Sequence, residues 1–291
     1  MRVFTQEEQN YIFGAYDSGE TIKSIREHLK CKGSTLNEFL RASGRGKRRK
    51  NTLKDAEFLK NGRKYHVNES YFRDIDNPNK AYWLGFLYAD GYVFTGKGGY
   101  VQLTLAEVDE NHIFAFLYDI GSNHPVKHKV VTCTGKSFRA STVSVNSVEM
   151  ANDLASHGCV QAKSLILKPP DIPRDLIPHF IRGYMDGDGS VGYYPDYGSY
   201  SFSATGTKNM LEFIRDESGV SKRISIRKIN DENAYTVNFS GKSAVETFFS
   251  YIYSDRPIFL ERKWDKALKM MKHLDFDTHR SPTAALADLL D

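Results

Sequence analysis

Two acidic residues stand at matching places in this chain of 291 residues. Asp90 ends the run Trp83-Leu84-Gly85-Phe86-Leu87-Tyr88-Ala89-Asp90 and is followed by Gly91. Asp188 ends Ile181-Arg182-Gly183-Tyr184-Met185-Asp186-Gly187-Asp188 and is followed by Gly189. A carboxylate at the C-terminal end of a helix faces the negative end of the dipole, at a cost of about 0.3–1 kcal/mol. Two such acids, if neighbours, also repel each other. A divalent metal between them removes both problems, so the residue types point to cation-dependent chemistry.

The flanking residues say what must position the acids. Asn77 can cap a helix that carries Pro78 at its first position. Asp175 can cap another, with Pro178 still in the opening turn. The pattern predicts helices over roughly 78–90 and 176–188, each stopped by a glycine, Gly91 or Gly189, in the left-handed C-terminal position. Ala81, Gly85 and Ala89 recur at helical spacing in the first, and Gly183 and Gly187 in the second. Strips of small side chains let two backbones approach closely. If the strips face each other, Asp90 and Asp188 become neighbours.

A pattern of further elements occurs twice. After Gly91 come an alternating strand at Tyr100–Leu105, a helix from about residue 109 to 119, strands at Lys127–Thr132 and Phe138–Val145, and a helix at Ser147–His157. After Gly189 come a strand at Ser199–Thr205, a helix ending at Gly219, strands at Arg223–Ile229 and Ala234–Ser240, and helices at Ser243–Tyr253 and Leu260–Met271. The expected fold class is α+β, two pseudo-symmetric repeats preceded by a small all-α domain. The expected divisions are 1–44, a helical module; 45–76, a basic linker; 77–170 and 171–273, the two repeats; and 274–291, an acidic tail.

The two nine-residue stretches resemble the paired signature helices of the LAGLIDADG homing endonucleases. Gly85, Ala89, Asp90 and Gly91 match the name in the first copy, and Gly183, Asp186, Asp188 and Gly189 in the second. Tyr88 departs from it at the sixth position, where the name has an acid. The resemblance implies two αββαββα halves with the signature helices between two saddle-shaped sheets. It implies site-specific hydrolysis of both strands of duplex DNA, with two or three Mg²⁺ ions that Mn²⁺ can replace. Asp90 and Asp188 would be catalytic and bind the metals, with the carbonyls of Ala89 and Gly187 as further ligands. A lysine at the end of the last strand of a repeat would polarise water. Lys242 fits in the second half and no lysine stands at the equivalent place in the first, so either one strand is cut faster or Lys97 or Lys136 substitutes from a loop.

The resemblance also gives meaning to the polar strand faces. Gln102, Thr104, Lys129 and Arg139 in the first half, and Arg223, Ser225, Arg227, Thr236 and Asn238 in the second, are types that read base edges. The front of the chain adds to this. Residues 1–79 hold 16 Lys/Arg against 11 Asp/Glu, whereas residues 80–291 hold 24 against 25. The excess peaks at Arg45, Lys47, Arg48, Arg49 and Lys50, a run suited to phosphates. Before it, three short helices over 5–43 look like a helix-turn-helix, with Thr35 starting the recognition helix and Arg41 in reach of phosphate. A trihelical protein-binding module stays open as an alternative.

Composition bounds the rest. No apolar run approaches membrane-span length, and the first residues are no signal peptide. Cys31, Cys133 and Cys159 form no CxxC pair, which argues against structural zinc and for a reducing, cytoplasmic, DNA-associated setting. The histidines show no HNH or HExxH arrangement. Duplex DNA is the expected partner, with no membrane or protein partner and a monomeric state. A DNA-binding regulator that has lost cleavage, and an RNA-splicing maturase, are the other classes compatible with the pattern.

Overall fold

The computed structural model describes residues 4–17, 22–32, 35–36, 39–40, 43, 64–133, 135–229, 232–254 and 258–276. The chain divides into two compact units, Met1–Lys64 and Tyr65–Asp291. In the first, α1 (Gln6–Asp17) and α2 (Ile22–His28) are helices. The capping box at the start of α1 forms as its residues predict. The Glu8 amide donates to Thr5 Oγ1 at 3.2 Å, and the Thr5 amide donates to Glu8 Oε2 at 3.0 Å. Ile12, Tyr16, Ile25 and Leu29 meet Leu36 and Leu40 in a small core of this unit's own. Helical turns occur at Thr35-Leu36 and at Phe39-Leu40. Arg41, Arg45, Lys47, Arg48, Arg49 and Lys50 lie outside the described residues, as does the tail beyond Phe276.

The second unit is α+β and repeats itself. Helix α3 (Pro78–Asp90) leads into β1 (Gly91–Phe94) and β2 (Tyr100–Ala106). Helix α4 (Glu110–Asp119), strands β3 (Lys127–Cys133) and β4 (Lys136–Asn146), and helix α5 (Val148–Ser156) complete the first repeat. The second repeat runs α6 (Ile177–Asp188), β5 (Gly189–Tyr194), β6 (Ser199–Gly206), α7 (Lys208–Glu217), β7 (Ile226–Lys228), β8 (Tyr235–Ser240) and α8 (Lys242–Tyr253). Helix α9 (Glu261–His273) follows. Each repeat holds one antiparallel four-stranded sheet, in the order β1-β2-β4-β3 or β5-β6-β8-β7. One apolar core runs through both repeats, from Phe72 and Trp83 to Phe248 and Met271.

Several local expectations are corrected. Gly91 and Gly189 are not left-handed: their φ values are −77° and −85°, in extended backbone. Each signature helix runs straight into a strand. Glycine is required there by crowding, since an added Cβ would stand 2.7 Å from the Leu87 carbonyl oxygen at Gly91 and 2.5 Å from that of Met185 at Gly189. Asn77 caps α3 as expected, its side chain accepting from the Lys80 amide, but Asp175 lies in a 3-10 turn and caps nothing. Strands β1 and β5 were not foreseen. Strand β7 is only three residues long, so Arg223 and Ser225 precede it.

Candidate active site

Helices α3 and α6 lie backbone against backbone. A Cβ added at Gly85 would stand 2.0 Å from the Phe180 carbonyl oxygen, and one at Gly183 would stand 2.0 Å from that of Tyr82. The two glycines answer one another across the interface. At the C-terminal end, a Cβ at Gly187 would stand 2.2 Å from Ala89 Cβ and 3.5 Å from the Asp90 nitrogen. The strips of small residues therefore face each other, and both helices deliver their terminal acids to the same end.

Asp90 and Asp188 reach solvent, while the dense protein around the helix ends strips part of their hydration. Desolvation is the largest influence on each carboxyl and raises its pKa. Asp188 is pushed up to about 6, with the Asp90 carboxylate as the second cause. Lys163 and Lys263 pull both acids back down, and Arg262 acts on Asp90 as well. The direction of these shifts marks a place where negative charge is costly. Two carboxylates that repel each other fit a divalent ion held by protein on one side and phosphate on the other. Among the described residues no group of three or more His, Cys, Asp or Glu could hold a metal by itself.

The cations at the site are two buried lysines that sequence reasoning missed. Lys263 Nζ donates to the carbonyl oxygens of Met185, Asp186, Gly187 and Gly189 at 2.9, 2.6, 2.9 and 2.6 Å. It caps the C-terminal end of α6 and offsets the negative end of its dipole. Burial lowers its pKa. Lys163 Nζ donates to the Gly91 carbonyl at the end of α3. The residue before it, Ala162, holds a left-handed φ of 53°, a conformation unfavourable for alanine that the surrounding structure imposes. Lys163 lies 72 residues after Gly91, and Lys263 lies 74 after Gly189. That near-equal spacing is the one sequence signal that could have found the pair.

Lys242 is elsewhere. It is the first residue of α8, it is exposed, and its Nζ lies 3.8 Å from Glu246 Oε1. It is not among the charges that act on either acid. Strand β8 ends at Ser240, as expected, and the chain turns there into α8. The Gly187 carbonyl, expected as a metal ligand, already accepts from Lys263.

Beneath the acids lies a buried polar relay. Tyr82 Oη donates to Asp186 Oδ2 at 2.8 Å and lies 2.8 Å from His112 Nε2. The Leu260 amide also donates to Asp186, at 2.7 Å. Burial raises Asp186 to about 6 and depresses His112 to about 3. At the matching position of α3, Tyr88 Oη donates to the His157 carbonyl instead. The departure from an acid at Tyr88 is thus absorbed by structure, away from the chemistry.

The strand register sorts the other candidates by face. Gln102 pairs with Ser144, Thr104 with Thr142, and Lys129 with Ala140, so Gln102, Thr104 and Lys129 share one face. Thr104 Oγ1 lies 2.7 Å from Thr142 Oγ1, and Lys129 Nζ donates to Thr104 at 3.4 Å. Arg139 is corrected: it alternates with Thr142 and falls on the opposite face, 3.5 Å from Glu107. In the second sheet Ser203 pairs with Asn238, Thr205 with Thr236 and Arg227 with Thr236, giving one polar face. Arg223 and Ser225 flank it, and Arg227 Nε donates to Ser225 Oγ at 3.4 Å. Thr35 belongs to the first unit.

Two abutting helices that each end in an acid and each feed a separate four-stranded sheet define a duplicated α+β protein with one composite site. Residues 175–253, which hold the second signature stretch, match the family model of the LAGLIDADG-like domain. Solved structures give similar folds at low identity. The LAGLIDADG homing endonuclease I-GzeII in complex with its DNA target is 14% identical, with 68% of this chain and 91% of that chain covered and a TM-score of 0.45. I-SmaMI bound to cleaved DNA is 14% identical, with 69% and 92% covered and a TM-score of 0.42. Full-length DUF199/WhiA from Thermatoga maritima is 14% identical, with 76% and 71% covered and a TM-score of 0.43. A search of curated proteins finds no match to the chain.

Proposed function

We propose that the chain is a site-specific endonuclease that cuts both strands of duplex DNA. The observation that carries this is the pairing of Asp90 and Asp188. Each stands where a signature helix becomes a strand, and each belongs to its own sheet. One acid per sheet matches one scissile phosphate per strand. The polar faces carrying Gln102, Thr104 and Lys129, and Arg227, Thr236 and Asn238, would lie along the groove. There they offer donors and acceptors to base edges.

Asp90 and Asp188 would hold the divalent ions, with the Ala89 carbonyl as a further ligand. Such ions, when bound, polarise a phosphoryl oxygen and lower the pKa of water. The protein's own part is to keep both carboxylates ionised and at fixed positions. Lys163 and Lys263 do this as positioning residues. They hold the helix ends rigid and lower the cost of two negative charges side by side. The arriving DNA excludes water, which strengthens each of these interactions.

A second reading has one observation in its favour. The Lys263 ammonium sits on the Gly187 carbonyl, where an ion would otherwise be served, so the site is already partly neutralised. A DNA-binding protein without cleavage would tolerate this arrangement. Selection on a randomised duplex library with Mg²⁺ separates the readings. Double-strand breaks at one long site, lost in Asp188→Asn, support the nuclease. Sequence-specific retention with no cut by either protein supports the binding protein.

A further inference from the structure

The two repeats differ in what lies across their helices. In the first, residues 66–73 form a strap over the end of α4 and the start of α5. The Asn68 amide donates to the Ile120 carbonyl at 2.9 Å, beside Gly121. Ser147, the cap of α5, donates to Glu69 Oε2 at 2.7 Å. Arg73 pairs with Glu149 in the first turn of α5. His157, past its last turn, meets the Phe72 carbonyl at 2.9 Å. Tyr71 and Phe72 enter the core.

The repeat carries each of these anchor points into the second half. Aligning the start of α4 with that of α7, and of α5 with that of α8, puts Ser218 and Gly219 where Ile120 and Gly121 are. Gly241 takes the place of Ser147, Ser243 that of Glu149, and Tyr251 that of His157. All five line a single groove of 730 Å³. It is the geometric counterpart of the strap's bed, and no described residue lies across it as Asn68 and Glu69 lie across the first.

The groove has features that point to an occupant. Ser250, 7% exposed, lines it and carries a buried Oγ with no hydrogen-bond partner. Gly241, just before α8, offers no side-chain cap, unlike Ser147 before α5, so the first amides of α8 need an acceptor. Lys242 adds positive charge at the same end, and Glu217 on the far rim faces Arg174 at 4.0 Å. The walls formed by Val220, Ile224 and Ala244 are apolar.

We propose that this groove binds an extended peptide segment of a partner protein, with a carboxylate side chain followed closely by large apolar residues. The carboxylate takes the first-turn amides of α8, as Glu69 takes Ser147. The apolar pair fills the bed as Tyr71 and Phe72 do, and Tyr251 donates to a peptide carbonyl in the place of His157. None of residues 258–276 lines the groove: Phe276 packs 5.8 Å from the ring of Phe249, on the side of α8 opposite Thr247. The proposal does not depend on the nuclease reading.

The test uses the full chain as bait for a displayed library of random peptides about twelve residues long. Selected peptides are then synthesised with a fluorescent label and their affinities measured. Sequences with Asp or Glu shortly before paired large apolar residues are expected. Ser243→Glu places an acid in the first turn of α8, where Glu149 stands in α5, and thereby competes with the peptide while favouring the helix. It is expected to weaken binding at least tenfold with no fall in Tm, and Thr247→Trp, which fills the groove, should do the same. Peptides that bind both variants as they bind the wild type would overturn the proposal. So would a selection returning acid-rich peptides without apolar residues, which would mark only an anion site. A tenfold gain in peptide affinity for a full chain carrying Asp288→Lys and Asp291→Lys would also overturn it, because the occupant would then be the chain's own end.

Discussion

At the scale of single residues, the site depends on cations that hold helix ends. Lys263 Nζ satisfies four carbonyl groups at once, whereas Lys163 Nζ donates to the Gly91 carbonyl. Lys263→Met leaves buried acceptors without a donor and is expected to cost about 3 kcal/mol or more. Lys163→Met should cost less, and urea unfolding of the two variants compares them. The buried relay predicts a pH dependence with two opposed parts. His112 is held at about 3, below its ordinary 6.5, so the stability from keeping it neutral is complete above pH 6.5 and is lost as the pH falls towards 3. Asp186 is raised from 3.8 to about 6, so its contribution is complete below pH 3.8 and is lost as the pH rises through 6. His112→Gln should flatten the loss of stability on acidification, and Asp186→Asn should raise Tm at pH 7.5 while steepening that loss. Equal slopes for both variants and the wild type between pH 4 and 7 would rule out the relay as the titrating group. Asp90 and Asp188 were legible in the sequence because an acid before glycine at the end of an apolar run is a local pattern. The lysines were not, since each reaches its helix from more than 70 residues downstream, a closure that no local pattern encodes.

At the scale of elements, the close approach of α3 and α6 is the structural requirement. An added methyl at Gly85 or Gly183 would meet partner backbone at 2.0 Å, and backbone cannot swing aside as a side chain can. Gly85→Ala and Gly183→Ala are each expected to destabilise by about 3 kcal/mol or more through overpacking. Gly14 in α1 gives the contrast, because an added Cβ there meets nothing within 4 Å. Gly14→Ala should stabilise its helix by about 0.5–1 kcal/mol. Thermal unfolding of the three variants is the check, and a small change at Gly85 would contradict the packing. The helices, their small-residue strips and most strands could be read from periodicity and caps. Strands β1 and β5 could not, since β1 is four residues long and both begin inside what reads as a helix stop. The face of Arg139 depended on register, which the pairing of β3 with β4 sets and its own sequence does not.

At the scale of the whole molecule, the second unit is a duplicated frame closed around one site. Arg262, at the start of α9, reaches both carboxylate oxygens of Asp109, the residue just before α4 in the first repeat, at 2.9 and 2.8 Å. Asp109 is buried, so Arg262→Ala strands a charge and should cost about 3 kcal/mol, read as a fall in Tm. The duplication itself was visible in the sequence, while this tie between distant segments was not. The frame places one acid at the start of each sheet, and on the function proposed above these two acids cut DNA. Strand-resolved cleavage of a selected duplex site with Mg²⁺, by the wild type, Asp90→Asn, Asp188→Asn and the double variant, tests it most directly. Cuts in both strands are expected from the wild type, at most one nicked strand from either single variant, and no cut from the double variant, with all four binding the site. Undiminished cutting by the double variant would contradict it.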